Sequence, residues 1–347
     1  MPATIIGLGN YPLDVGSDGP YIHHEPCFGE IGGDGSVAFP PELIRTVAFI
    51  YLGRGEKRTP IGTAFFLAVV EGDDISTYLI TCKHVVLPYM TGKGSLYVRL
   101  DRTDTQNIHY LTLPKQESQW LFHSDPAVDL AILPMTGDGA MATWAAYDAN
   151  ETLFTEARMQ GYRFKPAAGA DVTFIGMFRP YHGTTRNVPI FRFGKIALVT
   201  DDPLPGQYGD SQQYVLECQA YPGNSGAPLF IHTITNGLPV IWILGMIAGF
   251  HPDSAEFRDP SDNSVKAMSH SGISTAVPAD RIWEVLYGGK AVAQRKEKFA
   301  VFKIGNRPVP AGVPVEDDGL TRADFETALR KVSRRTKPPS QSGEASS

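Results

Sequence analysis

From about residue 45 onward the chain is cut into short apolar or β-branched runs separated by turn signals, and nothing else in it limits the fold so strongly. The runs are Thr46–Gly53, Thr63–Val70, Thr77–Cys82, Leu96–Leu100 and Asp129–Met135, then Asp171–Met177, Ile190–Thr200, Tyr214–Ala220, Ala227–Thr233, Val240–Phe250 and Gly272–Val277. Runs of this length, rich in Val, Ile, Thr and aromatic residues and bounded by Gly, Pro, Asn and Asp, read as strands. Strands that follow one another without interleaved helical patterns pair as antiparallel barrels or sandwiches. Thirty-five glycines and 27 prolines, nearly a fifth of the chain, supply the turns that such a fold needs. The gap near residues 136–168 divides the runs into two groups, so the expected fold is all-β with two lobes.

The expected organisation has three parts. Residues 1–44, rich in Gly, Pro and Asp, read as an irregular N-terminal arm wrapping over the folded body. A domain over 45–287 holds barrel 1 (about 45–136), barrel 2 (about 168–277) and a helix at 278–287. In that helix Pro278 and Gly288-Gly289 bracket a segment whose Ile282, Val285 and Leu286 share one face. The remainder, 288–347, forms a C-terminal extension. Thr321 with Asp324 resembles a capping box there, and Phe325, Ala328, Leu329 and Val332 form one stripe of a helix ending at Arg334-Arg335, before a Pro/Ser/Gln tail without core-forming residues.

Charge and cysteine usage exclude several classes. The net charge of −6 gives no general attraction to nucleic acid or anionic lipid, and no run of about 18 apolar residues suggests a membrane span. The N-terminus has no basic segment followed by an apolar stretch. Three widely spaced cysteines, Cys27, Cys82 and Cys218, are unlike a disulfide framework, and a reducing, cytoplasmic setting is expected. His23-His24-Glu25-Pro26-Cys27 has no second ligand cluster to complete a zinc site, so neither metal nor cofactor is expected.

Chemistry is concentrated in Tyr221-Pro222-Gly223-Asn224-Ser225-Gly226-Ala227-Pro228. A nucleophilic serine needs a sharp turn of small residues that exposes Oγ and aims backbone N–H groups at one point, here those of Gly223 and Ser225. Most Gly-Asn-Ser-Gly strings are ordinary turns, and a serine is a poor nucleophile without a base and a group that orients the base. His84, after the run ending at Cys82, is the candidate base. Asp129, opening an apolar strand, is the candidate orienter, because a partly buried carboxylate wants a partner. Asp125 is a weaker rival in a loop. His182, His251 and His270 read as loop histidines, and Gly209-Asp210-Ser211 lacks the Gly-x-Pro that would follow a nucleophile.

Thr81-Cys82-Lys83-His84-Val85-Val86, Asp129-Leu130-Ala131-Ile132-Leu133 and Gly223-Asn224-Ser225-Gly226-Ala227-Pro228 together resemble the motifs of trypsin-like serine proteases. The likeness is greatest to the disulfide-free bacterial catalytic domains of the HtrA and glutamyl-endopeptidase type, and it extends to Gly62-Thr63-Ala64-Phe65-Phe66 and Gly272-Ile273-Ser274-Thr275-Ala276-Val277-Pro278. The resemblance implies a double β-barrel with a C-terminal helix, a serine endopeptidase acting through an acyl-enzyme, the triad Ser225, His84 and Asp129, and an oxyanion hole from Gly223 and Ser225. It implies no cofactor, and a protein or peptide substrate lying between the barrels. It maps the specificity pocket to Gln219, Ala220, Tyr221, Ile247, Ala248, Gly249 and Phe250, with Gly272 and Ser274 nearby. Gln219 stands where an Arg/Lys-directed enzyme has Asp, and Ile247 where a glutamyl endopeptidase has His, which points to a neutral pocket for a small or medium apolar side chain. Ala227 replaces the family's usual second glycine. Two rival readings stay open: a protease-fold binding or scaffold protein without turnover, and a latent protease whose regulatory partner engages 1–44 or 288–347. The 58 residues after 289 are too few for a typical PDZ-like domain.

Overall fold

The structure, a computed structural model, describes residues 21–23, 27–28, 30–31 and 37–303, except for 55–56, 73, 103–107, 136–141, 144, 236–237, 259–263 and 297–301. The chain divides into two compact units, Met1–Ile304 and Gly305–Ser347, and every described residue belongs to the first. The helix expected over 321–335 lies outside the described residues.

In the first lobe, strands β1 (Val47–Arg54), β2 (Lys57–Glu71), β3 (Asp74–Thr81), β4 (Ser95–Arg102), β5 (Ile108–Thr112) and β6 (Ala131–Pro134) run in the order β6-β3-β2-β1-β4-β5. Long β2 changes partner along its length, pairing with β1 up to Phe65 and with β3 from there on. Its freed edge at Leu67–Ala68 takes up Tyr147–Asp148 of a short parallel strand, Ala145–Asp148. Unbroken burial from Gly62 to Val69 follows, because β2 lies inside the lobe along that stretch. Among the described residues this sheet is rolled but not closed by hydrogen bonds.

The second lobe is closed. Strands β7 (Asp171–Gly176), β8 (Ile190–Leu198), β9 (Tyr214–Glu217), β10 (Pro228–Thr235), β11 (Leu238–Arg258) and β12 (Ser264–Pro278) form an antiparallel ring, with β10 meeting both β7 and β11. Two strands outrun their expected lengths: β11 and β12 continue past the barrel as a ribbon pairing Pro252 with His270 through Arg258 with Ser264. The polar, Asp- and Ser-rich sequence of that ribbon carries no alternating pattern by which a strand could be recognised.

Helices correct the expected picture more than strands do. Only α4 (Ala279–Leu286), with Pro278 at its N-cap, was anticipated within the described residues. The structure adds α1 (Lys83–Met90), α2 (Ala149–Thr152), α3 (Glu156–Tyr162) and α5 (Gly289–Lys296). Each is at most eight residues long, too short for a helical period to show above the strand-like texture. Helix α1 also contains β-branched Val85 and Val86 and an internal Pro88. Packing makes it a helix, since Val85, Val86 and Met90 are all buried. In the N-terminal arm, Tyr21–His23 pairs with Ala145–Tyr147 and Cys27–Phe28 with Val240–Ile241, so the arm touches both lobes.

One apolar core fills the first lobe and also takes in Ile175, Met177, Phe230, Ile241, Ile243 and Met246 from the second. A smaller core centred on Phe174, Leu216, Trp242 and Leu244 fills the closed barrel. The lobes therefore share packed surface, and the candidate site lies where they meet.

Candidate active site

His84 sits in the first turn of α1, not at a strand end, and Asp129 lies in the loop two residues before β6, not within the strand. The geometry between them is tight. His84 Nδ1 is 2.6 Å from Asp129 Oδ2, and the His84 backbone N–H donates to Asp129 Oδ1 at 3.0 Å. An ionised carboxylate only accepts, so Nδ1 carries the proton and Nε2 is left as the basic nitrogen. The carboxylate thus fixes both the ring's tautomer and the backbone from which the ring hangs. Asp125 instead accepts from the N–H of Ala127 in its own exposed loop.

Ser225 lies in the turn that leads into β10, and the turn is held from both lobes. Asn224 is 2% exposed; its Oδ1 accepts from Tyr221 N–H at 2.8 Å and its Nδ2 donates to Met177 O at 2.7 Å. From the first lobe, the buried Thr63 N–H donates to Ser225 O at 2.9 Å, and its hydroxyl donates to Gly223 O at 2.6 Å while accepting from Met177 N–H at 3.1 Å. Thr81 Oγ1 then donates to Thr63 O at 2.8 Å. Gly226 has φ +91°, and a Cβ there would lie 1.9 Å from Thr63 O, so only glycine lets the strand bearing Thr63 come this close. Gly223, at φ +105°, is the second residue that needs glycine. Among the described residues, neither the Gly223 nor the Ser225 N–H is donated to a protein acceptor, which leaves both available to a ligand oxygen.

Cys82 joins the two halves. Its thiol donates to Ile247 O at 3.2 Å, and Gly226 N–H donates to that same oxygen at 2.8 Å. Hence the strand end before His84 and the turn after Ser225 are tied to one carbonyl. Burial pushes the Cys82 thiol well above its ordinary pKa, and the nearby Asp129 charge adds to this. Cys82 Sγ, a His84 ring nitrogen and an Asp129 carboxylate oxygen lie within 4.8 Å of one another, the one such cluster among the described residues. A metal would need a thiolate that burial disfavours and would have to break the His84–Asp129 bond, so these donors suit each other better than an ion. Above the pair, Tyr208 packs its ring 4.0 Å from Lys83 Nζ; burial, reinforced by the charge of Asp129, raises its phenol to about 12.

The expected pocket residues separate into two groups. Gln219 and Gly272 line a cleft of about 500 Å³ together with Phe191, Arg192, Phe193, Glu217 and Cys218. Ala220 and Ile247 are 2% and 0% exposed and belong to the barrel core, and Ala248 is also buried. Gly249 and Phe250 are half-buried where the ribbon begins. Tyr221 is 45% exposed, donates its hydroxyl to Gln219 Oε1 at 3.0 Å and lies under the Arg192 guanidinium at 4.8 Å. The cleft also carries the guanidinium of Arg192 and the carboxylate of Glu217. Strand β8, which supplies Arg192, is remote from the nucleophile motif, so motif mapping could not reach it. Ser274 Oγ lies beneath, accepting from Ala220 N–H and donating to Cys218 O.

Thr63 and Asn224 stand inside quoted motifs, yet the work of their side chains was not legible, because each bonds to a partner far away in the sequence. Of the histidines expected in loops, His182 is in one, its ring packed edge-on against Phe49 and Tyr51, whereas His251 and His270 lie in strands β11 and β12.

Residues 62–233 match the family described as a trypsin-like peptidase domain. Similar solved structures include the apo protease domain of MamO from Magnetospirillum magneticum, 14% identical over 70% of this chain and 97% of that one, with a TM-score of 0.43. The Rv3671c protease of M. tuberculosis H37Rv, in an inactive form, is 19% identical over 70% of this chain and 88% of that one, with a TM-score of 0.37. None of the curated proteins matches this chain. With its strands in two lobes and its His84, Asp129 and Ser225 segments meeting between them, the chain has a trypsin-like double-barrel all-β fold, and its residues 62–233 match the trypsin-like peptidase domain.

Proposed function

We propose that the protein is a serine endopeptidase that cleaves peptide bonds through Ser225, His84 and Asp129. The observation that carries this is the two-point grip of Asp129 on His84, at the ring and at the backbone, beside a turn whose Gly223 and Ser225 N–H groups have no protein acceptor among the described residues. Ser225 Oγ attacks the substrate carbonyl as His84 Nε2 takes its proton. Asp129 stabilises the imidazolium, and the two N–H groups receive the oxyanion, each donor contributing about 3 kcal/mol. The imidazolium then protonates the departing amine, leaving an acyl-enzyme that water hydrolyses by the reverse sequence of proton transfers. No step needs a cofactor. Two buried free thiols, Cys82 and Cys218, support a reducing, cytoplasmic setting, and among the described residues no helix is long and apolar enough to cross a membrane.

A latent form is the second reading. Among the described residues no hydrogen bond joins Ser225 Oγ to His84, a bond that in unliganded enzymes often tightens only with substrate. Labelling with a fluorophosphonate, followed by mass-spectrometric mapping, separates the two. The adduct is expected on Ser225 in the wild type and absent from Ser225→Ala and His84→Ala. A folded wild type that does not label would remove the constitutive enzyme and leave the latent or binding reading.

A further inference from the structure

Residues 177–188 leave β7 beside the nucleophile turn and cross to the first lobe before β8 begins, with no helix or strand of their own. The near end of this strap is fastened to the turn. Met177 bonds to Asn224 and Thr63, and the Arg179 stem covers Gly223 so closely that a Cβ there would lie 2.9 Å from Arg179 Cγ.

The far end is held by Arg99 on β4. Its Nη1 donates to His182 O and to the Tyr51 hydroxyl, each at 3.1 Å, and its Nη2 donates to Gly183 O at 2.6 Å and Arg186 O at 3.2 Å. Asn187 completes the grip, giving its N–H to Asp101 Oδ1 at 2.7 Å and its Nδ2 to Arg99 O at 2.9 Å. Gly183, at φ +87°, makes the turn that presents these carbonyls; a Cβ there would lie 2.0 Å from Arg186 O. Arg99 is 1% exposed, and among the described residues no carboxylate lies within ion-pair distance of it. Burying a guanidinium is costly unless its donors are satisfied; Arg99 Nε has no partner among the described residues, so the two Nη groups carry the compensation, and three of their four acceptors are carbonyls of the strap. The cation and the loop shape therefore require each other.

We propose that Arg99 is a positioning residue for the oxyanion site: by fixing residues 177–188 from the first lobe, it holds Met177 and Arg179 against Gly223 and so keeps the Gly223 and Ser225 N–H groups convergent. This rests on the assignment of Ser225 made above, and the test separates the two.

Hydrogen exchange of the full chain, read by mass spectrometry, is compared for wild type, Arg99→Met, Arg99→Lys and Asn187→Ser, alongside the second-order rate of fluorophosphonate labelling. In Arg99→Met, exchange is expected to quicken in peptides covering 178–188 and also in those covering 221–226, with labelling slowed about 30-fold or more. For a peptide ester the loss is expected in kcat, with KM within about threefold. Arg99→Lys, which keeps a cation and some donors, is expected to recover part of both signals. Asn187→Ser, which removes one bond to β4 and leaves the guanidinium in place, is expected to shift both signals in the same direction by a smaller amount. Faster exchange in 178–188 with 221–226 unchanged would overturn the proposal even if no chain labelled, whereas a wild type that fails to label bears only on Ser225. Should Arg99→Met not fold, unchanged exchange and labelling in folded Asn187→Ser would overturn it equally.

Discussion

At the scale of single residues the candidate site is held in shape by groups outside the proposed triad. Thr63 bonds through its N–H, its hydroxyl and its carbonyl to the turn, to Met177 and to Thr81. Thr63→Val keeps the shape and removes only the hydroxyl, leaving Gly223 O and Met177 N–H without it. We expect a stability cost of about 1–3 kcal/mol in denaturant unfolding and a 10- to 100-fold slower labelling of Ser225. Gly226→Ala, forced against Thr63 O, is expected to yield little folded protein on expression. Cys82, fully buried with its thiol pushed well above the ordinary value, is expected to resist iodoacetamide in the native protein and to react only after denaturation, as read by intact mass. The three residue types of the candidate triad were legible because their motifs are local in sequence. Thr63, Asn224 and Arg99 were not, because the hydroxyl, the amide Nδ2 and the guanidinium bond to partners more than forty residues away.

At the scale of elements, strands whose sequence alternates or stays apolar were readable and elements whose sequence carries no such pattern were not. The runs that became β1, β2, β7 and β10 alternate or stay apolar because they face a core, whereas the sequence of the β11–β12 ribbon is polar and the short helices are too brief for a period to show. Helix α4 was readable from Pro278 and Gly288, and it bears a titratable contact with the first lobe. Glu284 on α4 meets His123 Nε2 at 2.5 Å and Arg281 Nη1 at 2.7 Å. Burial would raise this carboxyl, but those two partners carry it below its ordinary value. A carboxyl depressed in the folded state stabilises at pH above its unfolded value near 4.5, and the gain is lost as pH falls through the folded value. With the Glu284 side chain 43% exposed, the effect is expected to stay below about 1 kcal/mol. Glu284→Gln is therefore expected to melt slightly below wild type at pH 7 and level with it near pH 3, by parallel thermal scans.

At the scale of the molecule, the core of the first lobe takes in residues of the second, so the two lobes are expected to melt together. A single calorimetric transition is expected, with calorimetric and van't Hoff enthalpies equal; two resolved transitions would contradict the shared packing. The Ile247 carbonyl extends this to timing. Because it accepts from the Cys82 thiol and the Gly226 N–H at once, the chain two residues before His84 and the chain one residue after Ser225 are held to one atom although they ride on different lobes. Thermal breathing between the lobes thus has no soft joint where the His84 and Ser225 segments come together. Heat is then expected to abolish labelling only where the whole fold gives way, with labelling-loss and unfolding midpoints coinciding; under the proposed endopeptidase role, the choice of substrate then falls to the loops and cleft around a spacing that does not adapt.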